Sequence, residues 1–135
     1  MTPASYAQRS MWAFALRYRT ANLNEMVIPW RVRGPLRVDL MEAALGEVVA
    51  RHATLRARLS YQHGQLYQLV MPPEPVCLPV VVVEGADSEA RLAAAVALLN
   101  DPNRQALDII GGPTFLVRLF RVGDDDHVLC LYVHH

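Results

Sequence analysis

The feature that most constrains this fold is its closing stretch, where two apolar runs, Thr114–Val122 and His127–His134, flank an acidic turn from Gly123 to Asp126. Their residue types predict two strands joined as a hairpin. Both runs are apolar on both faces, so the sheet they begin must be covered on each side. The rest of the chain has to supply those covers.

Two helices are the candidates for that task, a number that leaves full cover of both faces open. Asp39 and Glu42 form a capping box ahead of Met41, Leu45, Val48, Val49 and His52, which share one face of a helix ending near Ala53. Ser88 caps another, striped by Leu92, Ala95, Val96 and Leu99 and ended by Asn100-Asp101-Pro102. A first helix, Ser5–Tyr18, carries Met11, Trp12, Phe14 and Leu16, with Pro3 and Ser5 as start signals. From Met26 the pattern alternates up to Gly34-Pro35, predicting a half-buried strand that Pro29 confines to a sheet edge. Leu55–Gln62 and Gln65–Met71 read as a hairpin turning at His63-Gly64. Val76–Val83, after a stiff Pro-rich connector, reads as a further strand. Mixed strands and helices without strict βαβ alternation predict an α+β class, or an α/β sandwich, with a mixed sheet covered by helices.

With 135 residues, 53% of them hydrophobic, the chain is one domain's worth, 1–135, with material for a real core. Thirteen basic and thirteen acidic residues cancel without long blocks, which argues against nucleic acid or an anionic membrane as partner. The longest apolar run, Val76–Val83, is too short to cross a bilayer, and Gln8, Arg9, Arg17 and Arg19 interrupt any signal peptide, so a cytoplasmic location is expected. Cys77 and Cys130 lie in apolar runs without CxxC spacing and are expected to be small buried hydrophobes, with no metal held. Every basic residue is arginine.

Chemistry concentrates at the end, Tyr132-Val133-His134-His135. Period two puts His135 on the side of Leu129, Leu131 and Val133, and His134 on that of Val128, Cys130 and Tyr132. Spacing alone leaves three readings open: a tag remnant, a satisfied strand end, or a catalytic pair. The consecutive Asp124, Asp125 and Asp126 lack the alternation of a calcium loop. His63 and His127 receive no role.

Several motifs, in order along the whole chain, share one resemblance. Ser5-Tyr6-Ala7-Gln8-Arg9-Ser10-Met11-Trp12 resembles the SxAQxRxW motif of condensation domains of nonribosomal peptide synthetases, with Ser10 in place of arginine. Arg51-His52-Ala53-Thr54-Leu55-Arg56-Ala57 resembles their RHxxLRT, with Ala57 in place of threonine. Val32–Leu36 is similar to a strand-ending RGPL, and Asp108, Gly112-Pro113 and Arg118 to the stretch before the third motif, HHxxxDG. His134 and His135 match the histidines of that motif, inside which the sequence stops.

The resemblance implies the N-terminal lobe of a chloramphenicol-acetyltransferase-like fold whose active site lies in a tunnel against a C-terminal lobe absent here. It implies peptide-bond formation between an acyl and an aminoacyl thioester, each carried on the phosphopantetheine arm of a donor or acceptor peptidyl carrier protein, with no cofactor bound directly. His135 would be the catalytic histidine, accepting a proton from the acceptor amine or holding that amine in place. An α-amino group titrates near 8, so its deprotonation at neutral pH costs only about 1.4 kcal/mol and positioning can outweigh basicity. His134 would be structural, and Arg56 or Arg51 would hold the signature aspartate. Gln8 and Trp12 would line the tunnel, although Trp12 beside Met11 and Phe14 also reads as core. Arg31, Arg33, Arg56 and Arg58 group as a solvated strand face or as a contact for the phosphopantetheine phosphate. An ester-forming or starter acyltransferase and a non-catalytic interaction module are the alternatives. The fragment alone is expected to be inactive and to self-associate through the surface its partner lobe would bury.

Overall fold

The computed structural model describes residues 1–18 and 25–135; Arg19 lies outside the described residues. Among the described residues, seven strands and three α-helices follow in the order β1 (Thr2–Pro3), α1 (Tyr6–Tyr18), β2 (Glu25–Arg33), α2 (Val38–Arg51), a 3-10 turn (Ala53–Arg56), β3 (Ala57–Gln62), β4 (Gln65–Val70), β5 (Val80–Val82), α3 (Ser88–Leu99), β6 (Phe115–Gly123) and β7 (Asp126–His134).

The closing hairpin is the centre of the larger sheet, ordered β2-β7-β6-β5, in which only the β5–β6 pair is parallel. β2 is an edge strand, as Pro29 requires. Both faces of the hairpin are covered. On one, Ala95 and Leu99 of α3 meet Phe120, Val122, Val128, Cys130 and Tyr132. On the other, Met41 and Leu45 of α2 meet Leu78, Val117, Leu119 and Leu129. Two helices therefore suffice for the middle of the sheet, but Met26 and Trp30 of β2 remain 40% and 48% exposed.

β3 and β4 form a separate sheet with β1, ordered β1-β4-β3. The turn between β3 and β4 has His63 at φ 50° and Gly64 at φ 79°, the doubly left-handed geometry that suits a two-residue hairpin. The free side of β3 is met by the loop before β6, where the Leu59 amide donates to the Ile109 carbonyl at 2.7 Å. Both sheets thus share that loop.

Several local expectations are corrected. The capping box at α2 does not form: Arg37 precedes the helix without a side-chain cap, and Glu42 accepts from the Leu78 amide at 2.7 Å instead. Asp87, not Ser88, caps α3, accepting from the Ala90 amide at 2.8 Å. The strand expected over Val76–Val83 shrinks to Val80–Val82. Leu78 gives its amide to Glu42, and Pro79 has none to give. The strand expected from Leu55 starts two residues later because 53–56 tighten into the 3-10 turn. Cys130 is buried as expected, and burial pushes its thiol up. Cys77 is exposed, because the connector carrying it lies on the surface rather than within a strand.

Candidate active site

His134 and His135 stand at the C-terminal end of β7. His134 is the last strand residue, paired with Glu25 of β2, and its amide donates to the Thr114 carbonyl at 3.2 Å. Its face is that of the fully buried Tyr132 and Cys130. His135 follows, exposed; continued alternation gives it the α2 side, with Leu131 and Val133.

Thr114 joins the second motif to this strand end. It is 8% exposed, and its hydroxyl donates to the Leu55 carbonyl at 3.2 Å while its own carbonyl receives the His134 amide. The Leu55 amide in turn donates to the His52 carbonyl at 3.0 Å. Arg56 belongs to the same turn. Its guanidinium donates to the carbonyls of Val49, Ala50 and Met71, binding the end of α2 to the end of β4. Arg56, a candidate to hold the signature aspartate, is thus occupied by backbone carbonyls of this chain. Arg51 is exposed, and its side chain has no hydrogen bond or ion pair among the described residues.

The first motif is organised around the smaller sheet. Ser5 and Gln8 form a reciprocal capping box at the start of α1: the Ser5 amide donates to Gln8 Oε1 at 2.8 Å and the Gln8 amide to Ser5 Oγ at 3.2 Å. Gln8 Nε2 also donates to Gln68 Oε1 of β4 at 3.1 Å. Trp12 stacks on Tyr61 of β3, ring centroids 5.0 Å apart, and packs against Ala4, Leu59 and Leu66; its Nε1 is buried without a hydrogen-bond partner among the described residues. Neither side chain forms a hydrogen bond to His134 or His135.

A charged cluster that sequence reading missed lies on the His134 face. Glu25 and Arg104 form an ion pair whose side chains are 2% and 5% exposed, and Glu25 also accepts from the Leu107 amide at 2.6 Å. Arg104 sits over the Tyr132 ring, 4.3 Å from its centroid, and the Tyr132 hydroxyl donates to the Leu99 carbonyl at 3.2 Å. Burial, reinforced by the neighbouring Cys130, pushes that phenol well above its ordinary range. The residues are 79 apart in sequence, so no local signal could have paired them.

The basic group expected across the strands is divided. Arg31 is forked onto Asp126 at 2.9 and 2.6 Å, which holds that carboxyl below the usual range. Arg56 is committed to carbonyls, Arg33 is exposed, and Arg58 is half-buried. Asp124 pairs with Arg121 at 3.1 Å.

Known proteins share this architecture. The condensation-domain family matches residues 1–135. The dimodular nonribosomal peptide synthase of Bacillus subtilis (strain 168) is 33% identical over 135 residues, covering 98% of this chain and 5% of that protein. Cyclosporin synthetase simA of Tolypocladium inflatum is 32% identical over 131 residues, 97% of this chain and 1% of that one. The starter condensation domain of rhizomide synthetase RzmA superposes with a TM-score of 0.83 at 25% identity, covering all of this chain and 33% of that structure. The fold is thus the chloramphenicol-acetyltransferase-like α+β architecture of condensation domains. The chain belongs to the condensation-domain family, and spans only a small part of the synthetases it resembles. No helix among the described residues is long and apolar enough to cross a membrane.

Proposed function

We propose that this chain is the N-terminal lobe of a condensation domain, contributing His135 to peptide-bond formation between two carrier-protein-bound thioesters and inactive by itself. The observation that carries this reading is the end of β7: His135 follows its last residue and is exposed, and strand alternation would turn it to the sheet face where Met26 and Trp30 of the neighbouring strand are 40% and 48% exposed. An imidazole beside an apolar strip suits a wall of a cleft whose opposite side comes from elsewhere, a second lobe by family likeness.

On this reading the phosphopantetheine arms deliver the donor thioester and the acceptor amine as substrates. His135 orients the amine and takes its proton as nitrogen attacks the thioester carbonyl; the carrier thiolate leaves and recovers a proton. His134, tied through its amide to Thr114, sets the position of its neighbour. The likeness to a starter condensation domain supports, as a second reading, an acyl starter as donor.

The purified chain given both loaded carrier proteins is expected to make no amide. Turnover that disappears in His135→Ala would overturn its incompleteness. Reading the encoding DNA past His135 should show three codons followed by Asp-Gly, and the longer polypeptide should condense in a His135-dependent way. A stop codon directly after His135 would favour an interaction module instead.

A further inference from the structure

Arg58 differs from the other arginines of its group. The residue is half-buried, and its guanidinium has no hydrogen-bond or ion-pair partner among the described residues. It lies against the backbone of Gly112, where φ is +73° and an added Cβ would collide with Arg58 Cζ and Nε. The missing side chain at Gly112 is the seat of this cation.

Arg58 lines a cavity of about 250 Å³ between the end of α2, the connector after β4 and the start of β6. Its walls are largely apolar, with Val49, Leu55, Val76, Phe115 and Val117 among them. Two other polar neighbours are already engaged: Arg56 donates to three carbonyls, and the Thr114 hydroxyl to Leu55. Glu74, also lining the space, is exposed. Arg58 therefore supplies an uncommitted, forked set of donors in an apolar setting, where an anion is worth more than in water.

We propose that this cavity binds a short-chain carboxylate, its head group forked by Arg58 and its alkyl body against the apolar walls. Carboxylate geometry matches a guanidinium with two parallel hydrogen bonds, and the volume is below that of sites for drug-sized molecules. The inference does not depend on the catalytic reading of His135.

Cys77 provides the readout, because it is an exposed thiol lining the same cavity whereas Cys130 is buried. The full chain is titrated with hexanoate, hexanol or inorganic phosphate, and alkylation of Cys77 by neutral iodoacetamide is followed by peptide mapping. Hexanoate is expected to protect Cys77 saturably, and hexanol and phosphate much more weakly. Arg58→Gln should weaken hexanoate about tenfold, Arg58→Lys less, and Arg33→Gln not at all. Equal protection by hexanol, equal protection by phosphate, no protection by hexanoate, or unchanged affinity in a folded Arg58→Gln would each overturn the proposal. The three-ligand comparison in the unaltered chain stands even if a variant fails to fold.

Discussion

Glu25 opens the edge strand and Arg104 follows α3, yet their side chains meet as a buried ion pair beside Tyr132, on the face of His134. Such a pair is costly to break because the survivor is left charged and unmatched. Glu25→Gln or Arg104→Met is expected to destabilise the chain by about 3–5 kcal/mol in denaturant unfolding. The double variant Glu25→Leu/Arg104→Leu should lose less than the sum.

Tyr132 makes stability fall in alkali. Its folded phenol titrates above the ordinary value, so its contribution is full below about pH 10 and is lost as pH rises through the folded value. Tyr132→Phe should flatten unfolding free energy against pH in that range, at a cost of about 1 kcal/mol at neutral pH for the lost bond to Leu99.

Asp126 acts at the other end of the scale. Arg31 lowers its folded titration, so the benefit is present above about pH 4 and disappears as pH falls through the lowered value. Asp126→Asn should remove a small part of the acid sensitivity seen in melts between pH 2 and about 5, and added salt should shrink the difference at this partly exposed pair.

Arg56 should prove structural in a way separable from chemistry. Arg56→Lys keeps the charge but cannot reach three carbonyls in one plane, and is expected to cost about 2 kcal/mol in unfolding free energy. Hydrogen exchange should rise first at the end of α2 and at Met71.

Much of this fold was legible locally. The closing hairpin, α3, the edge position of β2 and the turn at His63-Gly64 follow from alternation, helical stripes and the residue types that turns demand. The Ser5-x-x-Gln8 box was also readable, and it gives part of the first motif a folding task. What escaped were choices made across long separations. Glu42 left its expected cap for Leu78, Glu25 found Arg104, and Arg56 found Met71, none of which periodicity can register. The site was legible as a motif but not as geometry: nothing local shows that Thr114 would link Leu55 to His134.

The loop from Leu107 to Thr114 is anchored at both sheets, through Ile109 on Leu59 and through Thr114 on His134. A substitution within it would therefore misalign the histidine strand and loosen the hairpin together. Loss of activity from such a change would be a mechanical injury, and would not by itself assign a chemical part to the residue replaced.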